Sequence, residues 1–203
     1  MRKLIVQTFV TLDGVMQAPG GPGEDDDGGF AHGGWSMSYW DEQMGEVMGE
    51  QTSRPFAMVL GRRTYDIMAA FWPTAPEEEG GKVFNDATKY VASRSRPTLE
   101  WSNSVLIEGD AAEGIAALKQ EDGPELQVHG SANLIQTVLR HNLADQYRMW
   151  VFPLVVGSGK RLFGDGTVPA GLRLADSKVS STGVVMATYE PAGDIPVGTV
   201  AQE

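Results

Sequence analysis

The chain has 203 residues, 41% of them hydrophobic and 21% charged, a balance typical of a globular protein, and we interpret residues 1–203 as one domain. The absence of cysteine and the scattered positions of the three histidines exclude disulfides and thiolate metal sites and argue against zinc, so no metal is expected. The formal net charge of −11 disfavours nucleic acid and anionic lipid as partners. No apolar run is long enough for a bilayer and no signal peptide is apparent, so we expect a cytoplasmic protein with no membrane partner.

The first predicted element is a strand over residues 3–10, which ends in Thr11-Leu12-Asp13-Gly14. The Asp13 carboxylate at this strand end either anchors a ligand or forms a turn, since Asp-Gly pairs do so routinely. Residues 17–34, rich in Gly, Pro and Asp, predict a long loop. That loop is either a lid over a binding site or a solvated insertion.

The next segment predicts a strand-turn-helix unit. Residues 38–41 fit a capping box that begins a helix continuing to about residue 51. The apolar run 56–60 has the character of a buried parallel strand, and Gly61-Arg62-Arg63-Thr64 follows it directly and begins a helix to about Phe71. Free N–H groups at a helix start, two guanidinium groups and a hydroxyl suit a pyrophosphate and a further phosphate. The alternative is that both arginines pair with the acidic surface.

The pattern recurs further along the chain. Strands are predicted at 90–93 and 105–107, a helix at 111–120 and another strand at 125–128. Gly130-Ser131-Ala132-Asn133 then begins a helix to about residue 141, and its small residues suit a pyrophosphate held by backbone N–H groups. Ser93-Arg94 adds a hydroxyl and a cation at a third strand end, and ligands bind at the carboxyl ends of strands in open α/β sheets. His129 is either a proton carrier or a packed residue.

Strands without intervening helices are predicted at 146–153, 172–179 and 184–189, giving about eight strands in an α/β fold with antiparallel closing strands. Two known phosphate motifs do not apply. In Gly157-Ser158-Gly159-Lys160 the first glycine of a P-loop is missing and Arg161 replaces the Ser or Thr that would hold Mg²⁺. The chain also lacks GxGxxG, which argues against a standard dinucleotide-binding fold.

Five of these segments, in the same order, resemble the RibD C-terminal domain, the reductase domain of the bifunctional riboflavin-biosynthesis deaminase-reductase, and its stand-alone relatives in the dihydrofolate reductase-like superfamily. They are Thr11-Leu12-Asp13-Gly14, Gly61-Arg62-Arg63-Thr64-Tyr65, Tyr90-Val91-Ala92-Ser93-Arg94, His129-Gly130-Ser131 and residues 153–163. The resemblance covers nearly the whole chain. The chain carries no deaminase zinc motif, so the resemblance is to the reductase part alone.

The resemblance implies a dihydrofolate reductase-like fold of about eight mainly parallel strands with an antiparallel C-terminal hairpin, and NADPH as the cofactor. It assigns the adenosine side of the cofactor to the arginine-bearing turn, with Arg62 facing the 2′-phosphate and Ser93 and Arg94 lining the same pocket. The resemblance assigns the pyrophosphate to the small-residue turn, Gly130-Ser131-Ala132-Asn133. The cofactor-binding residues implied or predicted are Gly61, Arg62, Arg63, Thr64, Ser93, Arg94, Gly130, Ser131, Ala132 and Asn133.

Asp13 is the expected catalytic residue, beside the nicotinamide and the substrate. An acidic residue on the first long helix binds the pterin in dihydrofolate reductases, and Asp41 or Glu42 occupies that region here. Trp40 and Asp41 are the expected substrate-binding residues. Trp35, Trp40 and Trp72 each either stack on a flat substrate or belong to the core.

The function expected is an NADPH-dependent reductase that transfers hydride to a small heterocyclic or imine-bearing substrate, pyrimidine- or pterin-like, in a homodimer. The alternative is a non-catalytic nucleotide-binding dimer that retains the fold.

Overall fold

The computed structural model describes residues 1–198, and its centre is one eight-stranded sheet of order β4-β3-β2-β5-β1-β6-β8-β7. The pairs among the first six strands are parallel, whereas β8 runs antiparallel to both β6 and β7. The strands are β1 (Leu4–Thr11), β2 (Phe56–Gly61), β3 (Thr88–Ala92), β4 (Ser104–Ile107), β5 (Glu125–His129), β6 (Gln146–Phe152), β7 (Leu172–Val179) and β8 (Val185–Pro191). The predicted α/β sheet with antiparallel closing strands is confirmed.

Helices cover both faces of the sheet, and short 3-10 turns occur at 27–29, 37–39, 72–74 and 77–79. The helices are α1 (Glu42–Thr52), α2 (Arg62–Phe71), α3 (Gly81–Asp86), α4 (Ala111–Gln120) and α5 (Ala132–Arg140). Within residues 1–198 no helix combines the length and the apolar character needed to cross a membrane.

The start of α1 differs from the sequence prediction. The capping box expected at residues 38–41 is absent, because Met37–Tyr39 forms a 3-10 turn and α1 begins only at Glu42. Asp41 is the N-cap: its backbone is extended, and its carboxylate accepts a hydrogen bond from the Met44 N–H at 2.9 Å. The short helix α3 was not predicted at all.

The central strands are buried on both faces, as their nearly continuous apolar sequences require. On one face of β1, Leu4, Val6 and Val10 pack in a core cluster with residues of α4 and α5 such as Ile115 and Ile135. Other clusters lie beneath α1 and beneath α2 and α3. Since β2 leads directly into α2 and β5 into α5, this packing brings the two helix N-termini to the same edge of the sheet.

Candidate functional site

A single cleft of about 1700 Å³ follows the carboxyl ends of β2, β3 and β5 and the middle of β1. All ten predicted cofactor residues line it, together with Trp40, residues of the 17–34 loop and one face of α1. This volume exceeds that of an ordinary small-molecule pocket, roughly 300–1000 Å³, and accommodates a dinucleotide and a second ligand. The strand ends therefore border one continuous cleft.

The two glycine turns are in direct contact. The backbone N–H of Gly61 donates a hydrogen bond of 2.8 Å to Ser131 Oγ. A Cβ at Gly61 would lie 3.4 Å from the Ser131 side chain, and one at Gly130 would lie 3.6 Å from Thr64 Cγ2. These distances are van der Waals contacts between the two turns, so the N-termini of α2 and α5 lie side by side.

Ser131 adopts a conformation that non-glycine residues rarely take. Its φ is 67° and its ψ 60°, directly after Gly130 at φ 55°. Such a left-handed residue costs about 1–2 kcal/mol, and such strain clusters at ligand sites. Because its hydroxyl accepts from Gly61, Ser131 does not cap its own helix, and Gly61 has no side chain to cap α2. Both helix starts therefore keep amide donors for a ligand, and an N-terminal helix dipole favours an anion.

The three arginines of the cleft differ in what they already bind. Arg62 Nε donates to both carboxylate oxygens of Asp66 at 2.7 Å. The Arg63 guanidinium lies 3.1 Å from an Asp25 oxygen and 3.5 Å from an Asp27 oxygen. Arg94 forms neither an ion pair nor a side-chain hydrogen bond with any residue in the described range 1–198. Of these three arginines, Arg94 is therefore the one whose guanidinium faces no carboxylate.

Residues 17–34, the strap loop, form a wall of the cleft. Lys160 Nζ contacts Asp25 Oδ2 at 2.6 Å and Asp27 Oδ2 at 2.7 Å, so these carboxylates join the loop to residue 160 and to Arg63. The bond from Lys160 holds the pKa of Asp27 below its ordinary value. The Gln17 side chain adds three hydrogen bonds to this contact. Its Oε1 accepts from Lys160 N, and its Nε2 donates to the carbonyl oxygens of Asp25 and Asp27. Of the two interpretations of this loop, the structure supports the one in which it encloses a binding site.

The Asp13 side chain is used to hold two loops together. Its Oδ1 accepts from Thr11 Oγ1 at 2.5 Å and Val156 N at 3.3 Å, and its Oδ2 accepts from Gly157 N at 2.8 Å. The Thr11 bond lowers the pKa of Asp13, with burial opposing and the backbone N–H groups assisting. Asp13 does not line the cleft. Its placement favours the turn-forming interpretation over the expected catalytic role.

The two expected substrate residues separate in the structure. Trp40 lines the cleft, 41% exposed, with its ring centroid 5.8 Å from that of Trp150 and 6.3 Å from that of Phe9. Asp41 does not line the cleft: it caps α1 and accepts 2.8 and 2.7 Å bonds from Ser181 N and Oγ. The substrate role expected for Asp41 is therefore replaced by a structural one.

The other two tryptophans considered as stacking candidates, Trp35 and Trp72, divide between core and cleft. Trp35 is a core residue whose indole donates to Gln17 O at 2.7 Å. Trp72 stacks on Phe84 at the cleft wall, with ring centroids 4.1 Å apart.

The floor of the cleft holds a buried glutamine that sequence reasoning missed. Gln7 pairs in register with His129 of β5 and with Arg148 of β6, and its side chain is 3% exposed. Its Nε2 makes only a 3.7 Å contact with Met48 Sδ, and its buried Oε1 has no partner among the described residues. An unpaired buried acceptor costs about 1–3 kcal/mol. The detectable signal was one amide within the apolar β1 sequence, where a buried strand is otherwise hydrophobic.

His129 beside Gln7 is an uncharged acceptor. Burial, and then the charge of Arg148, lower the pKa of His129 to about 4. Its Nε2 lies 2.9 Å from Gln127 Oε1, while Gln127 Nε2 donates to Glu125 and to the Gln51 carbonyl. Gln127 therefore accepts from an Nε2–H of His129, and the Nδ1 of His129 keeps its lone pair.

The face of α1 above this floor is unusually open. Gly45 and Gly49 both line the cleft, and a Cβ at either would meet no atom within 4 Å. Met48 and Thr52 complete this face. The acidic residues of α1 lie elsewhere; Glu50, for example, pairs with Lys178 at 2.9 Å. No carboxylate of α1 therefore lines the cleft.

Comparison with solved structures places this architecture in a known fold. A protein named for riboflavin biosynthesis from Shewanella sp. PV-4 has a TM-score of 0.69 and 21% identity, covering 94% of this chain and 99% of its own. Dihydrofolate reductase from Enterococcus faecalis, complexed with NADP(H), has a TM-score of 0.58 and 13% identity over 93% of this chain and 96% of its own. The fold is dihydrofolate reductase-like, as the sequence predicted.

Relatives by sequence extend along nearly the whole chain. The uncharacterized protein YyaP of Bacillus subtilis is 28% identical over 192 residues, which cover 93% of this chain and 94% of that protein. The uncharacterized protein YwjB of the same organism is 28% identical over 182 residues, covering 87% and 91%. The model of one family, the RibD C-terminal domain, matches residues 2–186. The chain thus belongs to the RibD C-terminal domain family.

Proposed function

We propose that this protein is an NADPH-dependent reductase that acts on a small heterocyclic or imine-bearing substrate, pyrimidine- or pterin-like. The observation that carries the proposal is the joined pair of helix N-termini at Gly61 and Gly130, opening into a cleft large enough for a dinucleotide and a substrate. Membership of the RibD C-terminal domain family supports a reductase role. The likeness to a dihydrofolate reductase complexed with NADP(H) adds support for the cofactor.

The residues of the cleft fit the chemistry of a dinucleotide. The uncapped N-termini of α2 and α5 offer backbone donors to phosphate oxygens, and Thr64 and Ser93 add hydroxyls. When bound, NADPH supplies the hydride. The chain's own residues bind the phosphates and exclude water from the cleft, and the strap loop closes one side.

We assign the 2′-phosphate to Arg94 in preference to Arg62. The Asp66 carboxylate already accepts from Arg62 Nε and offsets the charge of that guanidinium, which weakens its attraction for a phosphate. Arg94 has its donors free and lies in the same cleft. A planar guanidinium matches phosphate oxygens with two parallel hydrogen bonds.

Beyond the cofactor, we propose that Trp40, Phe9 and Met48 form the wall against which the substrate ring packs. Aromatic and thioether side chains favour a flat, uncharged ring. We further propose that residues 1–203 act as one domain of a cytoplasmic homodimer.

The test is a fluorescence titration of the purified protein with NADPH and NADH, followed by NADPH consumption with dihydrofolate, pyrimidine ribosylamines and flavins. We expect NADPH to bind with a dissociation constant well below about 1 mM, which corresponds to about 4 kcal/mol. Binding of neither nucleotide below that limit would overturn the proposal. Binding without turnover on any substrate would instead support the non-catalytic nucleotide-binding alternative.

A further inference from the structure

The floor of the cleft beneath α1 is formed by uncharged polar side chains. The Gln7 amide is 3% exposed, and its Oε1 has no partner in the part of the chain that the structure describes. His129, its in-register neighbour, lines the same cleft and donates through Nε2 to Gln127, which leaves Nδ1 as an acceptor. Two acceptors thus sit side by side on adjacent strands.

The space above these acceptors suits a flat ring. Gly45 and Gly49 lie one helical turn apart on the cleft face of α1, and nothing lies within 4 Å of a Cβ at either position. A planar ring can therefore approach the helix backbone closely. Trp40 and Met48 provide apolar surface beside this space.

Charge recognition is not available at this position. The residues of α1 that line the cleft are the two glycines, Met48 and Thr52, while Asp41 caps the helix and Glu50 pairs with Lys178. Arg148, in register with Gln7, is engaged by Glu125 and Gln146. A ligand here is selected by hydrogen bonds from its own N–H groups.

We propose that Gln7 and His129, beneath the Gly45–Gly49 face of α1, form an uncharged subsite that binds a neutral planar cyclic amide or imide through its ring N–H groups. The subsite deepens the reductase proposal and rests on it for the identity of the bound ring as substrate. A ring N–H donates to Gln7 Oε1, an atom that is otherwise unsatisfied. The adjacent ring carbonyl accepts from Gln7 Nε2, whose present contact is the distant Met48 sulfur.

The test uses two probes that differ only in their N–H groups, quinazoline-2,4-dione and its 1,3-dimethyl derivative. Binding of each is measured by titration calorimetry at neutral pH, with and without saturating NADPH. The wild-type protein is expected to bind the dione at least roughly 10-fold more tightly, a difference of about 1.4 kcal/mol. In Gln7→Met, which keeps the side-chain volume and removes the acceptor, the ratio is expected to fall to within about twofold.

Controls separate hydrogen bonding from size and from folding. A preference caused by the extra methyl groups would persist in Gln7→Met, so persistence overturns the proposal. Gln43→Met, on α1 outside the cleft lining, makes the same substitution away from the subsite and should leave the preference unchanged. Equal binding of both probes by the wild-type protein, or no binding of either, also overturns it. The nucleotide titration without a probe reports independently on the reductase proposal.

Discussion

Arg94 and Arg62 lie in the same cleft but differ in what they bind, which allows them to be compared directly. Arg94→Ala is expected to weaken NADPH binding roughly 10- to 100-fold, since a charge-assisted bond contributes about 1.5–3 kcal/mol, and to leave NADH nearly unchanged. Arg62→Ala is the matched control and should weaken NADPH less, because its guanidinium is bound to Asp66. Fluorescence titrations of both variants with both nucleotides measure this. If Arg62→Ala lost more NADPH affinity than Arg94→Ala, the 2′-phosphate would be assigned to Arg62 instead.

His129 gives the protein a specific acid sensitivity. The pKa of its ring is lowered from 6.5 to about 4, so the unfolded chain binds a proton between these values that the folded chain does not. The free energy of unfolding therefore decreases as the pH falls from about 6.5 towards about 4. The free energy of unfolding can decrease by at most about 1.4 kcal/mol per pH unit from one such group. We expect a smaller decrease because the His129 ring is partly exposed.

Urea unfolding across this pH range measures the effect. His129→Gln should flatten the pH dependence, whereas the same change at the exposed His141 should leave it unaltered. Identical slopes for the wild-type protein and His129→Gln would show that His129 is protonated equally in both states.

At the scale of elements, the strap loop is held by a few charges in addition to the buried side chains of Ala18 and Phe30. The Asp25 side chain is 11% exposed and contacts both Arg63 and Lys160. Asp25→Asn is expected to lower the free energy of unfolding by about 1.5–3 kcal/mol, the value of hydrogen bonds to charged groups. Hydrogen exchange of residues 17–34 should rise at the same time. Asp26→Asn, at an exposed neighbouring position, is the control. Equal hydrogen exchange in the two variants would show that the contacts of Asp25 with Arg63 and Lys160 do not hold the loop.

Local patterns predicted the elements well where one physical signal dominated. The run of apolar residues in β2 and the following glycine turn identified both the strand and the start of α2, and the same held for β5 and α5. The position of the two glycine turns in the cleft was predictable for this reason, because a glycine turn after a buried strand determines where the backbone donors lie. The start of α1 was not, since Asp41 and the residues before it offer competing caps that only tertiary contacts such as Ser181 decide.

The roles of isolated polar residues were the least predictable. Asp13 has the sequence context of a ligand anchor, yet its partners Val156 and Gly157 come from more than 140 residues away along the chain. Gln7 became visible as a site residue only when the register of β1 placed it beside His129. The roles of Asp13 and Gln7 both depend on contacts between residues far apart in the chain, which a single sequence does not reveal.

For the whole molecule, the edge of the sheet bears on assembly. β7 pairs only with β8 and is exposed along nearly its full length, including Leu172, Leu174 and Val179. Open edges with apolar side chains readily pair with another chain. Light scattering is expected to give the mass of a dimer, and Leu174→Lys to give that of a monomer. Leu12→Lys, at another exposed leucine, should remain dimeric, and a monomeric wild-type protein would contradict the proposed assembly.

The open face of α1 implies a trade between stability and the range of ligands. A glycine within a helix costs about 1 kcal/mol relative to alanine, so Gly45 and Gly49 leave a gain in stability unused. Alanine would fit at both positions without touching a neighbouring atom. Each added methyl group would occupy ligand space, however, so this helix gives up rigidity in order to keep the cleft wide. Substitutions at these two glycines are therefore a route by which the same scaffold can acquire a new ligand preference while its fold becomes more stable.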